Sequence, residues 1–306
     1  MYNTTTKQNR LLFGSVIVLL SLILVITYFS FSNRIQSIDT QLFQVEDWKS
    51  IQEIVMQNEK QQVKLSFREG AWRVNDQYKA DRNLIDVIFA TLIQSKAKRE
   101  ITGSQKDSLL NHVKKTGVKI DLKSASGSEL SFIAGGNLQK SNAYFVSKDD
   151  KVYQVHIPGY RVYVSGIFEL AEGEWLDKLI FDVNWINFKK LTYTYENENF
   201  NVVRQNNLFQ IEGQQTDTAK LHQFLDRLSL LQVNQFQLDA DKNKLNIIGD
   251  INLVDIADRP YHLWISDSVN RRERLIMVKD SLPAWVDESE IQTLLKSREF
   301  YQKSRQ

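Results

Sequence analysis

The sequence predicts an α+β fold: an N-terminal transmembrane helix, then two related antiparallel sheet-plus-helix halves. Three observations carry this expectation. A 21-residue run from Leu11 to Phe31 has no charged residue. Two later segments repeat one order of core positions. Strand patterns arrive in hairpin runs interrupted by single helices, which indicates antiparallel pairing over alternating βαβ units.

The run LLFGSVIVLLSLILVITYFSF is long enough for a bilayer, since about 1.5 Å per residue covers roughly 30 Å of hydrocarbon. It is apolar all round, unlike an amphipathic core helix. The residues TYFSFSNR at its end (27–34) are too bulky for a signal-peptide cleavage site. Lys7 and Arg10 precede the run and Arg34 follows it. The positive-inside bias therefore predicts a cytoplasmic N-terminus over 1–10 and a membrane helix over 11–31 in contact with inner-membrane lipid. It also predicts a periplasmic body on a bacterial inner membrane.

After a juxtamembrane segment (32–48), the first α+β repeat is expected over 49–157. Val63, Leu65, Trp72 and Val74 correspond in order to Phe200, Val202, Phe209 and Ile211. After a one-residue gap, Ala80-Asp81 matches Thr216-Asp217, and Ile85, Ile88, Phe89 and Leu92 match Leu221, Phe224, Leu225 and Leu228. Alternation at period two marks the strands, and the three-and-four spacing after each aspartate marks a helix with an aspartate N-cap. On this correspondence Trp72 and Phe209 each bury a ring beneath their own half's helix. Further strands are predicted at Val118–Leu122, Leu130–Ile133, Ala143–Val146 and Val152–Ile157, and at Ile251–Ile256, Tyr261–Ile265 and Leu275–Val278. The second repeat occupies 187–298 and ends in an amphipathic helix from Glu288, with a tail over 299–306. Between the repeats, 158–186 reads as an aromatic crossover.

Composition narrows the function classes. There are no cysteines, which excludes disulfides, thiolate metal sites and a cysteine nucleophile. Setting aside Lys7, Arg10 and Arg34 leaves 36 basic residues against 37 acidic ones, so the body has no cationic excess with which to neutralise phosphates. No nucleic-acid partner is expected.

Chemistry is sparse. His112, His156, His222 and His262 are isolated, without metal-ligand spacing, and neither a GxSxG elbow nor a Walker loop occurs. Gly135-Gly136 reads as a turn after a strand, and Arg271-Arg272-Glu273-Arg274 as an exposed hairpin tip. No catalytic residue, metal or cofactor is assigned, and the chain is read as non-enzymatic. The crossover supplies the candidate partner surface: Tyr160, Arg161, Tyr163, Phe168 and Trp175, because aromatic residues and Arg are enriched at protein–protein hot spots. The competing reading has these rings gluing the two halves together.

The segments GAWRVN, ADRNLIDVIFATL, ELSFIAGG, NAYFVSKDDKVYQV, PGYRVYVSGIFE and WLDKLIFDVNW, in this order, resemble the bacterial domain-of-unknown-function family numbered forty-three forty. The resemblance implies an envelope protein, of a kind often encoded beside ABC-type export or gliding-motility-like transporter components. The expected role is thus an anchored scaffold or auxiliary subunit with ABC-transporter-type envelope proteins as partners. The alternative is a periplasmic sensing domain with a ligand pocket between the two halves.

Overall fold

The hairpin signals fold as expected. In a computed structural model, which describes residues 14, 16, 18–26, 38–45, 47–183, 185–206, 208–240, 245–278 and 281–303, two large antiparallel sheets carry the chain. In the first half the strands are β1 (Ile51–Gln57), β2 (Gln62–Arg68), β3 (Ala71–Val74), β4 (Tyr78–Lys79), β5 (Lys96–Ile101), β6 (Val118–Ser124), β7 (Gly127–Gly136), β8 (Ala143–Val146) and β9 (Val152–His156). In the second half they are β10 (Phe188–Tyr195), β11 (Glu198–Gln205), β12 (Leu208–Ile211), β13 (Gln235–Phe236), β14 (Ile247–Asp255), β15 (Pro260–Asn270), β16 (Glu273–Val278) and β17 (Leu282–Asp287). The α-helices of the two halves are α1 (Arg82–Gln94), α2 (Ser104–Thr116), α3 (Thr218–Leu230) and α4 (Glu288–Leu294).

The two sheets share one topology. The first runs β4-β3-β2-β1-β6-β7-β8-β9-β5 and the second β12-β11-β10-β14-β15-β16-β17-β13. Without β4, the two orders superimpose strand for strand. Register agrees residue by residue: Leu65 pairs with Ile54 and Val74, as Val202 pairs with Leu191 and Ile211. The register shift at Ile51/Glu53 between β1 and β6 recurs at Phe188/Lys190 between β10 and β14. The hairpin between β2 and β3 turns on Glu69 (φ 53°) and Gly70 (φ 79°), the two positive values that a type I′ turn needs.

Helices α1 and α3 occupy equivalent places for the same local reason. The Asp81 carboxylate accepts from the N–H groups of Asn83 and Leu84, and that of Asp217 from those of Ala219 and Lys220. Each cap satisfies first-turn donors that have no partner within the helix. Ile85, Ile88, Phe89 and Leu92 are buried, and so are Leu221, Phe224, Leu225 and Leu228. Burying each such side chain contributes about 1.5–3 kcal/mol.

After β9 the chain forms 3-10 turns at Val164–Glu169 and Glu172–Trp175, then lies beside the residues leading into α1. Trp175 O accepts from Asp81 N (2.8 Å), Leu176 bridges Ala80, and Asp177 N donates to Lys79 O (2.9 Å). After β17 the chain does the same through α4 and the turn Arg298–Tyr301. Tyr301 O accepts from Asp217 N (2.8 Å), Gln302 bridges Thr216, and Lys303 N donates to Gln215 O (3.0 Å). The opening of the predicted crossover is therefore the closing strap of the first unit.

Beyond that strap the chain joins the halves. Ile180 N donates to Leu231 O (3.1 Å), Val233 N donates to Lys178 O (3.0 Å), and Leu179 bridges Gln232. One continuous apolar core includes Ile88 and Phe132 of the first half, Ile180 and Phe181 of the join, and Leu228 and Leu263 of the second. Helix α2 differs from the rest. It packs Leu109, Leu110 and Val113 on the far face of the first sheet, against Ile133, Val146 and Val152, and has no counterpart among the described residues of the second half.

Several expectations change. Trp72 and Phe209 are only half-buried at the rim of the core. Gly135 and Gly136 lie within β7, paired to Tyr144 and Ala143; a Cβ on Gly136 would overlap the Tyr163 ring, so close approach, not a turn, requires glycine there. Arg271 and Arg272 are exposed as predicted, but Arg274 is buried against Glu288. Of the predicted membrane helix over 11–31, residues 14, 16 and 18–26 are described, and they are helical. The remainder, with Lys7, Arg10 and Arg34, lies outside the described residues. Among the described residues no helix is long and apolar enough to cross a membrane.

Candidate functional site

The residues of the predicted partner surface separate in space. Tyr160 is 66% exposed, beside exposed Arg161 and Val162, in a turn that Gly159 enters with φ 83°. Phe168 and Trp175 are at most 2% exposed. Phe168 meets Phe132 and Phe145 in T-shaped contacts, and Trp175, itself part of the strap, is fully buried, so neither ring is open to a partner. Phe168 packs within the first half, and Trp175 belongs to the strap that closes it.

Tyr163 is half-buried. Its hydroxyl donates to Glu169 Oε1 (2.5 Å), while Lys140 Nζ donates to Glu169 Oε2 (2.6 Å). Burial, reinforced by the Glu169 carboxylate, pushes the Tyr163 hydroxyl well above the ordinary tyrosine range. These groups edge a polar recess of about 590 Å³ beside His112, Lys115 and the Asn58–Gln61 turn. Apart from the His112 imidazole, Tyr163 is its one aromatic lining residue.

A second cleft, also about 590 Å³, is assembled at the join of the two halves. The β2–β3 hairpin places Phe67 and Trp72 side by side with ring centroids 5.7 Å apart. Trp72 continues onto Phe89 of α1 (5.5 Å), and Phe89 onto Trp48 (5.5 Å), which opens the 3-10 turn before β1. Trp48 and Phe67 are 41% and 42% exposed, so two ends of this aromatic row face solvent.

The first turns of α1 present Arg82, Asn83 and Asp86 to the same cleft. The opposite wall comes from Asp177, Lys178 and Leu179 of the join and from Gln232 after α3. Lys79 crosses the rim to Asp177 (3.1 Å) and Asp182. Burial works against its charge, but the hydrogen bonds to Asp182 and Asp177 outweigh it and raise the Lys79 pKa.

The lining contains no hydroxyl, thiol or imidazole side chain. Asp81 is engaged as a helix cap, and Asp177 holds Lys79 and the Leu179 N–H (3.1 Å). The arrangement is suited to stacking and hydrogen bonding. Elsewhere His262 Nε2 lies 3.0 Å from Asp250 Oδ1, but no group of three or more metal-ligating side chains converges among the described residues.

A family model, the domain of unknown function DUF4340, matches residues 72–247. The chain belongs to the DUF4340 family. The match begins at Trp72 on the aromatic wall and takes in the join and Gln232, so the DUF4340 region holds most of the cleft and crosses from one half into the other. No curated protein and no solved structure matches the chain.

Sequence reasoning passed over Trp48, Phe67, Asp177 and Gln232 because they are dispersed along the chain. One signal was present: Trp48 precedes β1 as Trp185 precedes β10, at the spacing that relates Val63 to Phe200.

Proposed function

We propose that this protein is a non-catalytic scaffold or auxiliary subunit of an ABC-type transport or gliding-like envelope machine. A single N-terminal helix holds it on the outer face of a bacterial inner membrane, and it works through its extracytoplasmic body. The observation that carries the anchor is the state of residues 18–26. They are helical, and Val18, Leu20, Ile23, Leu24 and Ile26 are all 50–67% exposed, an apolar surface that water would disfavour and lipid would accept. The scaffold role is supported by the continuous core, which joins the two units, and by the exposed turn at Tyr160, Arg161 and Val162.

The test is photo-crosslinking in the native envelope, with a crosslinking residue at Tyr160 or at Phe67. Adducts with transporter subunits support the scaffold. Recovery of uncrosslinked protein from both positions, together with release of the chain into the soluble fraction, contradicts it.

The second reading is a periplasmic ligand-binding or sensing domain, favoured by the cleft at the join. A volume of about 590 Å³ falls within the roughly 300–1,000 Å³ of ordinary small-ligand sites. Its aromatic wall belongs to one half while Gln232 belongs to the other, so an occupant would touch both.

A further inference from the structure

Resting on the second of these readings, we infer that the cleft at the join takes a neutral oligosaccharide. Charge is the first argument. Lys79, Arg82 and Lys178 on the lining are matched by Asp81, Asp86 and Asp177, and Lys79 is already tied to Asp177 and Asp182. The lining thus carries no formal excess of either sign.

Shape and polarity are the second argument. Trp48 and Phe67 expose ring surface to the cleft, and Trp72 and Phe89 connect them in a row. The C–H-rich face of a pyranose carries partial positive charge and lies flat on the negative face of an aromatic ring. The polar lining then meets what such a ring presents at its edge. A sugar hydroxyl both donates and accepts, and Asn83 and Gln232 offer both donors and acceptors. Asp86 accepts and Arg82 donates. A purely apolar ligand would leave those groups desolvated without partners.

The experiment titrates the full chain, held in lipid nanodiscs to avoid glycosidic detergents, with chitotriose, cellotriose and maltotriose by calorimetry. Tetramethylammonium and inorganic phosphate serve as charged probes. At least one trisaccharide is expected to bind. Phe67→Ala and Asp86→Ala, both at exposed positions, should each weaken it by about tenfold without moving the unfolding midpoint. Tyr160→Ala, outside the cleft, should leave it unchanged. Failure of every trisaccharide at millimolar concentration, or binding that survives both cleft substitutions, overturns the proposal. A charged probe that binds and is lost in Phe67→Ala overturns the saccharide class but leaves the cleft as a ligand site. Silence from all probes counts against the ligand-binding reading as well.

Discussion

Trp175 and Tyr301 hold the same position in the two halves of the molecule. Each backbone carbonyl accepts at 2.8 Å from the N–H of the aspartate that caps its own half's helix, and each ring is at most 1% exposed. The strap that follows a unit's last strand thus locks onto the residues that start its helix. Truncating a large buried aromatic removes its packing and leaves a cavity, which costs about 3–5 kcal/mol. Trp175→Ala and Tyr301→Ala are both expected to lose that much in urea unfolding of the full chain, against under about 0.5 kcal/mol for Tyr160→Ala. One severe and one mild loss would break the equivalence.

The helix caps should behave as a matched pair. Asp81→Ala and Asp217→Ala each remove two hydrogen bonds to first-turn N–H groups, and each should cost about 1 kcal/mol. Asparagine at either position should restore most of it. Amide exchange is expected to quicken in the first turn of α1 or α3 alone, and uniform quickening across the body would show a larger role.

Trp72→Ala and Phe209→Ala should be milder than the strap variants. Both rings sit half-buried at the edge of the core, Trp72 against Phe89 and Phe209 against Phe188. A loss of about 1–2 kcal/mol is expected in the same unfolding measurement. A loss equal to that of Trp175→Ala would place these rings deeper than they stand.

Acid should loosen the end of the second unit. Arg274 donates from Nε to Glu288 Oε2 (2.6 Å) and from Nη2 to Oε1 (2.7 Å), joining β16 to α4. Those bonds, opposed by burial, hold the Glu288 carboxyl below its ordinary value. A carboxyl whose folded pKa is depressed contributes stability above its unfolded pKa of about 4.3 and loses it as pH falls through the lower folded value. Stability measured from pH 7 downward should fall across that window, and Glu288→Gln should flatten the fall while lowering stability at pH 7 by about 2 kcal/mol. An unchanged pH profile in the variant would remove Glu288 from the linkage.

The doubled architecture was legible in the sequence where side chains write it. Val63 and Leu65 alternate inward as Phe200 and Val202 do, and Asp81 and Asp217 mark both helix starts. The straps were not legible, because Trp175 and Tyr301 are matched through backbone hydrogen bonds that accept any residue. Helix α2 was missed because only Leu109, Leu110 and Val113 reach its sheet and its N-cap is Gly103, which has no side chain to cap with. Strand β5 reads KAKREI, an edge strand whose charges hide its pattern. Aromatic density around Tyr160 to Trp175 signalled importance without direction: Phe168 and Trp175 turn inward and Tyr160 outward. A pocket between the halves was expected, but its lining was not legible, because folding alone brings Trp48, Trp72 and Gln232 together.

Everything proposed for the function requires the body to lie outside the cytoplasm on a membrane tether. The most direct measurement is a pair of reporters fused after Gln306 of the full chain, one active only outside the cytoplasm and one active only within it. The account predicts an active external reporter, a silent internal one and both fusions in the membrane fraction. An active internal reporter with a silent external one would contradict it.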